Sequence, residues 1–157
     1  MRLYLDSSVF LHLFLDGKWA DQAERILESV ETGDTIGYVS ILTVEEVAFK
    51  LLFAKASELG VVKYWEFRRK LVKDKAFREE CSKVLLKFCE YLDRLSGLAW
   101  THVAKEDYEK SLEIISRYGL LTADAIHAAI ALRLGVPIAT FDEDFKRVPG
   151  LVVVGLA

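Results

Sequence analysis

The sequence predicts an α/β domain on a mostly parallel sheet, and three features predict it. Apolar runs of strand length alternate with amphipathic stretches of helix length, the joints between them are short and polar, and no repeat or low-complexity tract interrupts the alternation. The first run, RLYL at 2–5, is a strand ending at Asp6, and Ser7 and Ser8 then offer N-cap oxygens to VFLHLFL. Ala20, Ala23, Ile26, Leu27 and Val30 recur at helical spacing and place a second helix over about 18–31. Gly33 and Asp34 turn the chain into the strand IGYVS, 36–40. A helix follows from Thr43 to about Glu58, where Gly60 ends it, and residues 62–94 read as one or two long helices with a break near 73–76. LAWTHV, 98–103, is a third strand candidate, followed by a helix over 105–118 that Gly119 caps. A helix at about 122–134 runs to Gly135, then a strand at 137–141 and a last one, LVVV, at 151–154.

With 157 residues, 52% apolar and 29% charged, the chain is expected to form a single domain, 1–157, with a sizeable core. A formal charge of −3 argues against a protein that coats polyanions, though not against a local nucleic-acid site. No apolar run reaches membrane-spanning length, because Asp124, His127, Arg133 and Pro137 break the richest segment, 120–141. Asp6 and Asp16 bracket too short an apolar stretch for a signal peptide. Cys81 and Cys89 lie about 12 Å apart along one helix, too far for a disulfide, and two sparse cysteines suit a reducing cytoplasm. There is no zinc signature, P-loop, nucleophile elbow or dinucleotide fingerprint. Ser8 stands where a haloacid-dehalogenase phosphatase needs its second aspartate.

Ligand sites in parallel sheets gather at the carboxyl ends of strands, which makes the placement of acids informative. Asp6 follows the first strand and Asp142 the fourth; Glu46 lies a turn beyond the second, and Asp124 opens the helix that feeds the fourth. Each has a structural reading of its own. Asp6 can cap the helix after it. TVEE fits a capping box in which Thr43 is the N-cap and Glu46 reaches back, leaving Glu45 in solvent. Asp124 sits in a first helical turn, where the dipole favours an acid. His127 reads first as a hydrogen-bonded histidine, with metal ligation the rarer alternative. Jointly these readings strain, because like charges crowded at one rim raise each other's pKa and cost stability. A hard divalent cation, Mg²⁺ or Mn²⁺, resolves the conflict by sharing the carboxylates, and such an ion suits phosphate-ester chemistry.

LDSS, TVEE, LLTADAIHAAIA and ATFDEDF, in that order over nearly the whole chain, resemble a PIN domain, in particular the VapC-type toxin ribonucleases. The resemblance implies a three-layer fold whose sheet of about five strands runs in the order 3-2-1-4-5 between helices; the extended helical segment at 62–94 departs from it, being longer than in the compact toxins of that family. It implies that Asp6, Glu46, Asp124 and Asp142 are the catalytic and metal-holding acids, with Asp144 an occasional further one. Ser7, Ser8 and Thr140 match its hydroxyl positions, which bond ligands or metal-bound water. It further implies Mg²⁺- or Mn²⁺-dependent RNA cleavage, a homodimer, and a small antitoxin as partner. The alternative is a non-catalytic PIN-like module that binds RNA or protein.

An acidic protein that holds RNA needs a local positive surface. Residues 63–83 carry eight Lys/Arg against four acids. Arg68, Arg69, Lys70, Lys73, Lys75 and Arg78 form a candidate phosphate track, with Tyr64, Trp65 and Phe67 close enough to stack on bases. The competing reading is a solvated helix face whose aromatics lie in the core or at a dimer seam. The Phe49/Phe53 side of the third helix, opposite its Val44, Val47 and Leu51 side, is a second place for a partner.

Overall fold

Leu3 and Leu5 point to one face of the first strand and Tyr4 to the other, and all three are buried, so β1 (Arg2–Leu5) must be covered on both sides. The computed structural model, which describes residues 1–156, shows how. A five-stranded sheet runs in the order β3-β2-β1-β4-β5, with every pairing parallel, as expected. Its other strands are β2 (Ile36–Val39), β3 (Leu98–Trp100), β4 (Ile138–Ala139) and β5 (Val153–Val154). On the Leu3/Leu5 face lie α1 (Ser7–Phe14), α2 (Ala20–Glu31), α3 (Ile41–Glu58) and α5 (Lys75–Arg94), whose Val9, Phe10, Leu27, Val47 and Phe88 share one core. On the Tyr4 face lie α6 (Lys105–Tyr118) and α7 (Thr122–Leu134), with Ile114, Ile130 and Phe145. The result is the three-layer α/β arrangement. Among the described residues no helix is long and apolar enough to cross a membrane.

The stretch 62–94 divides into α4 (Tyr64–Lys73) and α5 at Asp74, inside the expected break. The Asp74 carboxylate accepts from Phe77 N at 3.0 Å and starts α5. Arg78 then turns back, its Nη1 donating to the Leu71 and Val72 carbonyls at 2.8 and 3.1 Å, and so closes the end of α4. Phe67, Phe77, Cys81, Val61 and Ala56 form a small separate core where α4 and α5 meet the end of α3.

Several boundaries differ from expectation for identifiable reasons. The fourth strand is confined to Ile138–Ala139, because Phe141 leaves the ladder to stack on Trp19 at 5.8 Å. The helix N-cap before Val9 is Asp6, not Ser7 or Ser8, its carboxylate accepting from Ser8 N. The capping box of Thr43 and Glu46 does not form. Ser40 caps α3 instead, accepting from Thr43 N, and the Thr43 hydroxyl donates to Leu5 O at 3.1 Å, which ties α3 to β1. Glu46 is thereby left without its structural role.

At Gly97 a side chain has no room. A Cβ there would lie 2.3 Å from Thr35 O and 2.8 Å from Val30 O, both backbone atoms that cannot yield cheaply. The close approach lets Gly97 N donate to Val30 O at 2.8 Å and Gly97 O accept from Gly37 N at 2.9 Å, which docks β3 onto β2. Gly97→Ala is therefore expected to cost about 2–3 kcal/mol of stability through overpacking. A guanidinium melt that shows an unchanged midpoint would contradict this.

Candidate active site

The carboxyl ends of β1 and β4 lie side by side, so the residues leaving them meet. Asp6 and Thr140 are each the first residue past a strand end, and Thr140 Oγ1 donates to Asp6 Oδ2 at 2.8 Å. Ser8 Oγ donates to the same oxygen at 2.7 Å and accepts from Phe141 N at 3.0 Å. Asp142 N donates to Thr140 Oγ1 at 3.0 Å, and the Asp142 carboxylate accepts from Asp144 N at 2.8 Å. Two hydroxyls and two loops thus fix Asp6, 4% exposed, and Asp142 beside it.

Glu46 comes from the opposite side, on the second turn of α3. Its Oε2 accepts from Ser7 Oγ at 3.3 Å, and its Oε1 is bonded to His127 Nε2. His127 is fully buried on α7, and its Nδ1 lies 2.7 Å from Tyr4 Oη. Tyr4 Oη lies in turn 2.8 Å from Ser40 Oγ and 3.3 Å from Thr43 Oγ1. A buried chain of hydrogen bonds therefore runs from the start of α3 through β1 and α7 back to Glu46. Burial pushes the Tyr4 hydroxyl up to about 12, which keeps it neutral and able to bond on either side. Burial alone would lower the His127 pKa, but the bonded Glu46, with Asp6 and Asp124 near, raises it above the ordinary value.

Asp124 enters from the first turn of α7. Burial pushes its carboxyl up to about 6, and the charges of Asp6, Asp142 and Glu46 push the same way against His127. The crowding of like charge expected from sequence is thus present. Asp6, Glu46, Asp124 and Asp142 all line one open cavity of about 410 Å³, together with Ser7, Ser8, His12 and Lys50.

The contrast with Asp107 is instructive. That acid is as buried as Asp6, but Arg133 grips it with Nε at 2.8 Å and Nη2 at 3.1 Å, which ties α6 to α7. Among the described residues, no lysine or arginine nitrogen lies within 4 Å of Asp6, Glu46, Asp124 or Asp142. Asp107 has an arginine clamped on it; among the described residues, Asp6, Asp124 and Asp142 have no such ion pair, and Glu46 has His127. Nor do they clasp: among the described residues, no three His, Cys, Asp or Glu side chains stand close enough to make a ready cage. The carboxylates of the cavity are hard oxygen donors, the kind that Mg²⁺ and Mn²⁺ take in small number while retaining several waters.

Two expectations change, those for Asp144 and for Phe67 and Arg78. Asp144 turns away from the cavity, where Arg147 Nη1 holds it at 2.6 Å, and the same arginine bonds the Tyr118 and Gly119 carbonyls. It is not among the residues that line the cavity. Glu45 is exposed on α3 while Glu46 faces the cavity. Phe67 is core, and Arg78 is spent on the α4 carbonyls, so neither belongs to a surface track. Lys50 and His12 were not singled out as cavity residues. Lys50 was legible in principle, because it stands one helical turn beyond Glu46 on the same face.

The family model described as PIN domain matches residues 3–151. Ribonuclease VapC2 of Methanocaldococcus jannaschii is 27% identical over 156 residues, which cover 98% of this chain and 93% of that one. Among solved structures, VapBC2 from Rickettsia felis bound to a DNA fragment from their promoter aligns with a TM-score of 0.59 at 17% identity, over 98% of this chain and 97% of that one. Mycobacterium tuberculosis VapC20, a Sarcin-Ricin loop cleaving toxin, aligns with a TM-score of 0.56 at 17% identity, over 92% of each chain. At such identities the structural likeness speaks to the fold.

Proposed function

The chain belongs to the PIN domain family, and from that premise we propose that it is an endoribonuclease that hydrolyses RNA phosphodiester bonds with Mg²⁺ or Mn²⁺, as the cytoplasmic toxin of a toxin–antitoxin pair. The observation that carries the proposal is the convergence of Asp6, Glu46, Asp124 and Asp142, from four remote segments, on one cavity in which no lysine or arginine among the described residues is ion-paired with any of them. Asp6, Asp124 and Asp142 would hold the cation, with Glu46 completing the set. When bound there, the cation would supply Lewis acidity, which makes water a better nucleophile and offsets negative charge on the phosphate. Ser8 and Thr140 keep Asp6 in one orientation, so little reorganisation is needed when substrate arrives. His127 occupies one oxygen of Glu46 and leaves the other facing the cavity. Lys50, at the rim, supplies an ammonium group for a non-bridging phosphate oxygen. The toxin reading further requires a small partner protein whose binding silences the cleavage.

Metal should both activate and stabilise the protein. At a hundredfold excess over the dissociation constant, Mn²⁺ is expected to add about 2.7 kcal/mol, or roughly 5–11 °C in melting temperature for a chain of this size. Cleavage of a single-stranded RNA oligonucleotide should stop on adding EDTA and return with Mn²⁺, while the matched DNA is spared. Absence of calorimetric heat, thermal shift and cleavage together would leave the non-catalytic module as the surviving reading.

A further inference from the structure

α4 begins against the part of α3 that carries the cavity residue Lys50. Phe49 precedes Lys50 on α3, and its ring lies 6.4 Å from that of Tyr64, the first residue of α4. Phe49, Tyr64 and Trp65 are 43, 55 and 60% exposed, an unusual concentration of aromatic surface for a charged protein. Beyond them, at the junction of α4 with α5, lies an open groove of about 530 Å³. Trp65 stands on its wall, and its charged lining is Arg69, Lys70, Lys73 and Lys75 against Glu66 and Asp74. Asp74 is already committed to capping α5, and Lys75 has Glu79 at 3.7 Å; among the described residues, Arg69 and Lys73 have no carboxylate within 4 Å. Lys50 in the cavity, Phe49 next to it in sequence and packed near Tyr64, and Trp65 on the groove wall connect the two residue by residue.

We propose that this succession is a binding track for single-stranded RNA, with bases stacked on Tyr64 and Trp65 and phosphates held in the groove by Arg69 and Lys73. The track rests on the ribonuclease reading and adds to it where the strand goes on leaving the cavity. Ribbons of cations and aromatics are what bind single strands without regard to sequence: the cations track phosphates and every base has a face to stack. A helix of ten residues is about 15 Å long, enough to accompany roughly four stacked nucleotides. Charge selects the occupant. A second copy of this chain, with its formal charge of −3, would be a poorer match for the groove than a phosphate backbone.

The test measures binding apart from cleavage. Affinity of a labelled twenty-nucleotide oligouridylate is followed by anisotropy over a range of salt, in the cleavage-deficient Asp124→Asn background with EDTA. Arg69→Ala with Lys73→Ala should lower the slope of log affinity against log salt by about 1.4, two phosphate contacts at about 0.7 each for a single strand. Trp65→Ala should weaken binding roughly 5- to 150-fold with the salt slope unchanged. Unaltered slope and affinity in both variants, beside wild-type protein that still cleaves RNA, would overturn the track and leave the ribonuclease reading intact. Groove-dependent binding beside a wild type that never cleaves would support the track and sink the catalytic reading instead. Should Trp65→Ala change the sedimentation coefficient and not the affinity, the aromatic face belongs to a second copy of the chain and the proposal falls.

Discussion

Asp124→Asn is expected to abolish metal-dependent RNA cleavage and at the same time to raise the melting temperature of the metal-free protein. Both effects follow from one cause. Asp124 is the acid with the poorest local compensation: its carboxyl is pushed up to about 6 by burial and by Asp6, Asp142 and Glu46. In water or the unfolded chain it titrates near 3.9. Above both values the group is ionised whether folded or not, and the folded state bears the whole cost of the crowding. A shift of that size corresponds to about 3 kcal/mol, which screening of a half-exposed group reduces to about 1–2. Asparagine forfeits a favourable contact with the α7 dipole worth about 0.3–1 kcal/mol, so the net gain is about 1 kcal/mol, roughly 2–4 °C.

The pH dependence gives the sign. The folded state binds the Asp124 proton more tightly than the unfolded state, so this group makes stability fall as pH rises from about 4 to about 6. Asp124→Asn removes that fall. Its advantage over wild type should be full above pH 6, shrink below it and vanish near pH 4. On the catalytic side, residues that merely support a metal ligand cost about 10–100-fold when removed, so loss of a ligand should exceed 100-fold. A variant that cleaves like wild type, or one that is less stable at pH 7 in EDTA, would remove Asp124 from the proposed metal set.

How much of this was legible in the sequence depends on the distance over which each relation acts. The strand-end placement of Asp6 and Asp142 is readable, because a short apolar run followed by an acid carries its own direction, whereas the order of the strands comes only through the resemblance to a known family. Strand lengths were overestimated where apolar residues leave the ladder for lateral packing, as Phe141 does on Trp19 and His12. The cap of α3 was misplaced by three residues, because Ser40 and Thr43 satisfy the same local rule and only the bond from Thr43 to Leu5, across 38 positions, decides between them. Local motifs cannot see that contact. Asp144 was left as a candidate acid because nothing in ATFDEDF reveals that Arg147 turns back onto it. The link from Tyr4 to His127 spans 123 positions and exists only because α7 packs on the face of β1 that bears Tyr4.

That link makes His127 the second sensitive position. Its imidazole holds Glu46 Oε1 through Nε2 and is itself held by Tyr4 at 2.7 Å, while Ser7 Oγ donates to Oε2 at 3.3 Å, so the carboxylate is held in a fixed direction. His127→Leu fills the volume but leaves Glu46 without its imidazole partner beside Asp6 and Asp124 and removes a group that pulls the Asp124 pKa down. Cleavage should fall by about 10–100-fold, and Mn²⁺ affinity measured by calorimetry should fall with it. His127→Gln should recover part of both, since its amide can donate to Glu46 and accept from Tyr4 without supplying charge. A raised histidine pKa contributes stability that is whole below about 6.5 and is lost as the pH climbs through the folded value. In EDTA, wild type should therefore exceed His127→Leu most at pH 5–6 and least at high pH. If glutamine and leucine prove equally damaging to metal affinity, the hydrogen bond is not what positions Glu46, and the charge of the imidazole is the property that matters.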